Sequence, residues 1–238
     1  MNKKIKKILL KKNKSKIVSL TAYSKNIAKI LDKYVDIVLV GDSMANVLYG
    51  HKNTHQISLD SIIQHTKSVK MGTKKSLLVV DMPKGSYNNI KSAEKNAKHI
   101  INTTKCEAIK IESNKKNYKI IKLLAKKNIP VMGHIGFTPQ FKKKFNIQGQ
   151  TKSQAYNLLK EAKLIEKAGA FSIVLECLSP ESAKLITNNL KIPTIGIGSS
   201  SYCDGQILVT DDMLGISGFY PKFVKKYTNL NSIIEKAI

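Results

Sequence analysis

The stretch "VLVGDS" (38–43) is an apolar run that ends in a glycine, an acid and a serine. Three later stretches repeat this arrangement, each with an acid at or near its end: "LLVVDMP" (77–83), "AIKIES" (108–113) and "SIVLECL" (172–178). Apolar runs that show little alternation with polar residues are typical of parallel strands buried on both faces by helices. These stretches therefore predict an α/β protein in which several strands end in a carboxylate.

Strand and helix patterns alternate along the whole chain. The strand candidates are 16–22, 37–41, 76–81, 108–112, 130–134, 171–176, 193–197 and 206–210. The helix candidates, which fill most of the gaps, are 24–34, 58–71, 89–104, 117–128, 153–168, 180–190 and 229–238. Eight strands alternating with helices in 238 residues favour a (β/α)8 TIM barrel, with an open doubly wound sheet as the alternative. The segment 196–205 lacks the G-x-G-x-x-G spacing of a dinucleotide-binding turn.

The chain shows no internal boundary between domains. No linker rich in proline, glycine or serine divides it, so residues 1–238 are predicted to form one barrel domain with a short basic helix at the N-terminus. Ser58, Ser153 and Ser179 stand where helices are expected to begin and could act as N-caps. Gly169 follows a long helical pattern, where a left-handed C-cap is expected.

The formal net charge of +25 suggests a nucleic-acid or membrane-surface partner at first sight. All 41 basic residues are lysine, however, whereas bidentate recognition of phosphate and guanine most often uses arginine. The lysines fall largely on predicted outer helix faces and in the termini, where a solvated charge is expected. We therefore expect no nucleic-acid partner.

Neither a membrane protein nor a disulfide-linked protein is indicated. No apolar run approaches the roughly 20 residues that span a bilayer, and the basic N-terminus lacks the apolar core of a signal peptide. Cys106, Cys177 and Cys203 are odd in number and widely spaced, without a CxxC pair. That pattern is typical of reduced thiols, so a cytoplasmic location without membrane association is expected.

The acids become informative once they are placed on a barrel, because the active site of this fold lies at the C-terminal ends of the strands. The polar residues that fall at those ends are Asp42, Asp81, Glu112, His134 and Glu176. Two carboxylates about 4 Å apart repel each other by roughly 4 kcal/mol at an effective dielectric near 20, and a divalent cation reverses that sign. A few carboxylates without other ligand types suit Mg²⁺, which also takes water or substrate oxygens. Each acid taken alone could instead cap a helix or lie in a turn.

Lys110 and His134 add two further candidates for the same rim. Lys110 stands two residues before Glu112 on one predicted strand, so the two side chains point to the same face. A lysine held beside carboxylates favours an anionic substrate or a developing enolate, although a structural salt bridge would give the same pattern. His134 is a candidate donor to the substrate or, equally, a core histidine.

These residues lie within segments that together resemble ketopantoate hydroxymethyltransferases. The segments that recur in the same order in that family are "VSLTAY" (18–23), "VLVGDS" (38–43), "GHKNT" (50–54), "KIE" (110–112), "PVMGHIGFTPQ" (130–140), "IQGQ" (147–150), "VLEC" (174–177), "IPTIGIGS" (192–199) and "DGQILVTDDMLGI" (204–216). The resemblance covers about residues 16–225. It implies a (β/α)8 barrel of the phosphoenolpyruvate/pyruvate type that assembles as a homodecamer.

The resemblance also implies an activity. The family transfers a hydroxymethyl group from methylenetetrahydrofolate to the 2-oxo acid 3-methyl-2-oxobutanoate, which gives 2-dehydropantoate for the synthesis of pantothenate and coenzyme A. The residues carried over as Mg²⁺ ligands are Asp42, Asp81 and Glu112, and those carried over as substrate contacts are Asp42, Ser43, Asp81 and Lys110. Glu176 is carried over as the proton acceptor.

The chain departs from the family pattern near the expected folate side. Met44, Ala45 and Asn46 follow "GDS" where Leu-Gly-Met is expected, and Gln150 stands where a basic residue is usual. The loop 140–150 is shorter than the family pattern, so we expect it to be smaller or more mobile than in relatives. The carried-over metal and substrate residues are all present, so the departures bear on folate binding, loop closure and assembly.

Overall fold

Eight parallel strands form a closed barrel in chain order, with β1 hydrogen-bonded to β8. The computed structural model describes residues 2–114, 116–142, 145–218 and 220–238. The strands are β1 (Ile17–Thr21), β2 (Ile37–Val40), β3 (Leu77–Asp81), β4 (Ala108–Glu112), β5 (Val131–Gly136), β6 (Ser172–Glu176), β7 (Thr194–Ile197) and β8 (Gly205–Leu208). The predicted TIM barrel is confirmed, and the alternative of an open sheet is wrong because the first and last strands pair.

The described helices surround this barrel or lie at its two ends. They are α1 (Lys3–Leu10), α2 (Lys25–Leu31), α3 (Met44–Val47), α4 (Leu59–Gly72), α5 (Ile90–Thr104), α6 (Tyr118–Lys126), α7 (Lys152–Lys167), α8 (Pro180–Asn189), α9 (Thr210–Leu214) and α10 (Leu230–Ala237), with a 3-10 helix at Thr54–Gln56. The short helices α3 and α9 and the 3-10 helix were not predicted, because three to five residues are too few to show a helical period.

One cap and the end of β8 differ in detail from the sequence-based expectation. The side chains of Ser58 and Ser179 accept from the backbone of α4 and α8 as expected, but Thr151 rather than Ser153 caps α7. Gly169 adopts the expected positive φ of +100° after α7. The chain turns into α9 at Thr210, so β8 ends earlier than predicted.

Successive strand residues face two different apolar cores, which explains the continuous apolar runs. On β2, for example, Val38 and Val40 pack against the helices, whereas Ile37 and Leu39 face the barrel interior. The same two-residue period points Asp81 into the barrel along with Val79 beneath it. An acid at the end of such a strand is therefore directed to the mouth of the barrel.

Helix α1 covers the N-terminal end of the barrel. Its buried side chains Ile5 and Ile8 belong to the same apolar cluster as Ile17, Ile37 and Leu77, which are the first residues of their strands. The helix presents these residues on one face because they are three positions apart. The barrel is thus closed by apolar packing at the end opposite the strand C-termini.

Basic residues attach the N-terminal segment to this end of the barrel. Lys4 and Lys70 both donate to Glu107, at 3.0 and 2.9 Å. Lys12 lies 2.8 Å from the carboxylate of Asp204. The contacts of Lys4 and Lys12 join the start of the chain to the residues directly before β4 and β8.

Within the described ranges, no helix combines the length and apolar character needed to cross a bilayer.

We expect Ile8→Ala to lower the free energy of unfolding by about 2–5 kcal/mol, because it removes buried packing under the barrel. Leu10→Ala is the matched control on the same helix, since Leu10 is 57% exposed, and it should change stability by no more than about 0.5 kcal/mol. Urea-induced unfolding followed by circular dichroism measures both. Equal effects of the two substitutions would contradict the role assigned to α1.

Candidate active site

The predicted rim residues meet at the C-terminal mouth of the barrel. Asp81 and Lys110 are register partners of β3 and β4, and Glu112 is paired with His134 between β4 and β5. Glu176 ends β6 opposite Gly136. Asp42 and Ser43 follow β2 after Gly41. All of the predicted site residues line one cleft with a volume of about 1050 Å³.

An ion pair between Lys110 and Asp81 lies at the centre of the acidic group. The Lys110 Nζ donates to Asp81 Oδ1 at 2.5 Å, and both side chains are buried. The other Asp81 oxygen accepts from the backbone N–H of Asp42 at 3.1 Å. The Ser43 hydroxyl lies 2.8 Å from that of Tyr23, which fixes its position.

Gln140 is a site residue that the sequence analysis did not single out. Its backbone N–H donates to Glu112 Oε2 at 3.0 Å, and its side-chain Nε2 donates to Asp42 Oδ2 at 2.8 Å. Nε2 also donates to the carbonyl of Met82, and the Tyr87 hydroxyl donates to Oε1. Gln140 is the last residue of the family segment "PVMGHIGFTPQ" (130–140). No local sequence pattern, however, indicates that this loop residue donates hydrogen bonds to both Glu112 and Asp42.

His134 lies between two carboxylates. Its Nε2 is 3.1 Å from Glu176 Oε2, and its Nδ1 is 3.8 Å from Glu112 Oε1. Neither ring nitrogen makes a well-aligned hydrogen bond to any described residue. Burial and the charge of Lys110 hold the pKa of His134 well below its usual range, so the ring is neutral at pH 7.

The backbone around Glu176 depends on a glycine. Gly136 has φ +99°, and a Cβ at this position would lie 2.2 Å from the carbonyl oxygen of Glu176. That carbonyl instead accepts from the N–H of Phe137 at 2.9 Å. Cys177 adopts an unusual positive φ of +53°, which turns the chain sharply after Glu176. The strand end is therefore held in one conformation.

The site contains more negative charge than its single buried lysine balances. Burial raises the pKa of Asp42, and the charge of Asp81 raises it further. Burial and the charge of Asp42 likewise raise the pKa of Glu112. Burial alone would lower the pKa of Lys110, but the surrounding acids outweigh it and raise that pKa. Burial also raises the pKa of Glu176, to about 8.

This excess of carboxylate oxygens fits a hard divalent cation held by few protein ligands. Among the described residues, no three His, Cys, Asp or Glu side chains come close enough together to hold a metal by themselves. A cation here would need water or substrate oxygens to complete its coordination, which is the usual way in which Mg²⁺ is bound. The donor set of Asp42, Asp81 and Glu112 therefore fits Mg²⁺ better than a metal that requires a complete protein cage.

The loop 140–150, which we expect to be smaller or more mobile than in relatives, is described only in part, since Lys143 and Lys144 lie outside the described residues. On one side of them, Lys142 donates to the carbonyl of Gly136 at 2.6 Å. On the other side, the ring of Phe145 lies 4.6 Å from that of Phe137. Whether the loop is smaller or more mobile than in relatives stays a prediction.

Comparison with known proteins identifies the family. The family model described as ketopantoate hydroxymethyltransferase matches residues 2–238. The 3-methyl-2-oxobutanoate hydroxymethyltransferase of Pelagibacter ubique (strain HTCC1062) is 54% identical over 237 residues, which cover 100% of this chain and 92% of the relative. The enzyme of the same name from Clostridioides difficile (strain 630) is 48% identical, with 94% and 83% of the two chains covered.

Solved structures with little sequence similarity share the fold. Phosphoenolpyruvate phosphomutase from Streptomyces platensis subsp. rosaceus matches with a TM-score of 0.69 at 10% identity, over 98% of this chain and 83% of that chain. A 2,3-dimethylmalate lyase, a member of the PEP mutase/isocitrate lyase superfamily, matches with a TM-score of 0.66 at 14% identity, over 98% and 84%. These similarities show the shared barrel fold and carry no information about the reaction.

We expect Gln140→Ala to destabilise the protein by about 1–3 kcal/mol, because the substitution leaves the buried Tyr87 hydroxyl and Met82 carbonyl without their partner. Gln64→Ala is a suitable control, since Gln64 is exposed on α4. Thermal unfolding at fixed protein concentration compares the two variants. A Gln140 variant as stable as the control would contradict the bridging role.

Proposed function

Because the chain belongs to the ketopantoate hydroxymethyltransferase family, and is therefore an enzyme of the hydroxymethyltransferase class, we propose that methylenetetrahydrofolate is its one-carbon donor. The acceptor in this proposal is 3-methyl-2-oxobutanoate and the product is 2-dehydropantoate, on the route to pantothenate and coenzyme A. The observation that carries the proposal is a buried acid with a raised pKa, Glu176, in the same cleft as a Lys110-centred group of carboxylates.

Asp42, Asp81 and Glu112 would hold the Mg²⁺ ion, with water or the substrate supplying further oxygens. When bound, the ion supplies a Lewis acid that stabilises negative charge developing on the substrate oxygens. Gln140 supports this role because it ties Asp42 and Glu112 together through one residue. The acids are thereby held in place before any ligand arrives.

Ser43, Lys110 and His134 are proposed to contact the oxo acid together with the carboxylates. Lys110 is the one buried lysine among the described residues, so it attracts the anionic substrate to the buried group of acids. Its charge also favours the enolate form of the oxo acid, in which the keto oxygen becomes negatively charged, over the keto form. The neutral His134 can donate one hydrogen bond, and its Nε2 lies 3.1 Å from the Glu176 carboxylate.

Glu176 is proposed to take the proton from C3 of the oxo acid. A carboxylate with a pKa of about 8 is a stronger base than an ordinary glutamate, which suits the removal of a weakly acidic C–H proton. The resulting carbon nucleophile bonds to the one-carbon unit of the folate, and one of the two C–N bonds of that unit breaks, with its electron pair and a proton going to the nitrogen. Water then replaces the folate nitrogen on that carbon, which releases tetrahydrofolate and leaves a hydroxymethyl group. The homodecameric assembly known for the family is likewise a proposal for this chain.

The first test follows exchange of the C3 proton of 3-methyl-2-oxobutanoate for deuterium by NMR, without folate. Wild-type protein with Mg²⁺ should catalyse exchange, and EDTA or Asp81→Asn should abolish it. Glu176→Gln should lower the rate by about 10²–10⁴-fold if the carboxylate is the general base. Glu181→Gln, at an exposed position on α8, serves as the control. Exchange that survives in Glu176→Gln would move this residue to the folate half of the reaction.

The pH dependence of that exchange is a second test. The base form of Glu176 increases as the pH rises through about 8, the value to which burial raises its pKa. The kcat/KM of exchange should therefore increase roughly 30-fold between about pH 6.5 and 9 for a single titrating group. Glu181→Gln should keep this profile, and the residual activity of Glu176→Gln should lose it. A rate that falls over this range would be incompatible with a glutamate base.

A further inference from the structure

The cleft is larger than a small oxo acid requires. Its volume of about 1050 Å³ lies at the upper end of the roughly 300–1,000 Å³ of pockets that bury drug-sized ligands. The acids described above occupy only one part of its lining. The remainder includes apolar and aromatic side chains, among them Phe137, Phe145, Ile197 and Phe223. A second, larger ligand can therefore lie beside the oxo acid.

Three phenylalanines form a continuous aromatic wall in this second part. The ring of Phe145 lies 4.6 Å from that of Phe137 in an edge-to-face arrangement. It also stacks on Phe223 with centroids 5.8 Å apart and an interplanar angle of 18°. Phe145 nevertheless remains 52% exposed. An exposed ring held by two others is a platform on which a flat ligand can stack.

The backbone is adapted to hold Phe223 in this wall. Gly198, directly after β7, has φ +54°, and a Cβ there would lie 2.4 Å from the Phe223 ring. Glycine is thus required both for the conformation and for the close approach of the ring. The aromatic wall is consequently fixed to the end of a barrel strand even though Phe223 comes from the C-terminal segment.

Asp212 lines the same cleft on helix α9, the element that follows β8. Asp212 is 7% exposed, and no lysine or histidine among the described residues forms an ion pair with it. Burial raises its pKa, while a hydrogen bond from Ser217 opposes the shift. A buried carboxylate of this kind is stabilised by a ligand that donates hydrogen bonds to it.

Backbone contacts connect the segment that carries Phe223 to helix α9, which carries Asp212. The N–H of Tyr227 donates to the carbonyl of Met213 on α9 at 2.9 Å. Gly215, which ends α9, lies so close to Thr228 that a Cβ would meet its carbonyl oxygen at 2.5 Å. The segment that carries Phe223 is therefore fixed to the helix that carries Asp212.

We propose that Phe145, Phe223 and Asp212 form a subsite for the 2-amino-4-oxopyrimidine ring of a reduced pterin, an inference that rests on the proposed folate donor. The flat ring stacks on the phenylalanines, and its ring N–H and 2-amino group donate to the two oxygens of Asp212. The carboxylate of Asp212 disfavours a phosphate or other anion beside it, although Lys52 and Lys142 also line the cleft. It favours a neutral heterocycle that offers two adjacent donors. In this position the one-carbon unit faces the acidic part of the cleft.

The test uses 6-methyltetrahydropterin, which has the pterin ring without the glutamate tail, as the titrated ligand in calorimetry under anaerobic conditions. Asp212→Asn should weaken its binding about 10- to 100-fold, because a bidentate hydrogen bond to a charged acceptor is lost. Phe145→Leu should weaken it about 5- to 100-fold through loss of stacking. Asp60→Asn, at an exposed position on α4, should bind like wild type.

Deuterium exchange at C3 of the oxo acid, measured without pterin, separates the possible failures. Variants that keep normal exchange but lose pterin binding support the subsite. Normal exchange with unchanged pterin binding in Asp212→Asn and Phe145→Leu overturns the subsite and leaves the proposed function intact. Absence of exchange in the wild type overturns the proposed function instead. If Asp212→Asn loses exchange through misfolding, Phe145→Leu decides, because its ring is exposed and is not required for the core.

Discussion

The buried ion pair between Lys110 and Asp81 is the interaction on which the rest of the site depends. Its two charged atoms are 2.5 Å apart and both side chains are almost completely buried. Removing one partner of such a pair leaves an uncompensated charge, at a cost of about 3–5 kcal/mol. One lysine cannot balance Asp42, Glu112 and Glu176 as well, so the buried part of the cleft stays short of positive charge. That shortage explains why these residues suit a cation together with an anionic substrate.

The barrel makes this concentration of charge possible. Alternate residues of every strand face the interior, so Lys110 and Glu112 point to the mouth from one strand while Ile109 and Ile111 pack under the helices. A shift of one residue in register would bury the charges among the helices and turn the apolar side chains inward. The apolar contacts of the outer layer therefore also fix the orientation of the site. Folding and site formation therefore depend on the same alternation of inward-facing and outward-facing side chains along each strand.

Sequence reasoning could predict the parts of the site that lie on strands. The acid that ends the apolar run "LLVVD" (77–81), and the shared direction of Lys110 and Glu112, follow from strand geometry alone. Gln140 could not be found in this way, because it lies beyond the strands and its partners Asp42 and Met82 are far away in sequence. Loop conformation depends on tertiary contacts, such as the approach of Phe223 to Gly198, that no local pattern encodes.

The two ends of the barrel have different roles: the N-terminal end contributes to stability, and the C-terminal end carries the candidate active site. At the mouth, burial of several carboxylates opposes folding, whereas the opposite end is filled by Ile5 and Ile8 of α1. Lysines take part at that end as well: the Lys12 side chain is only 9% exposed beside Asp204. The lysine-rich composition is therefore not confined to solvated surface, since part of it joins the N-terminal segment to the barrel. Apolar packing and paired charges at the closed end offset the unfavourable burial of charge at the open end.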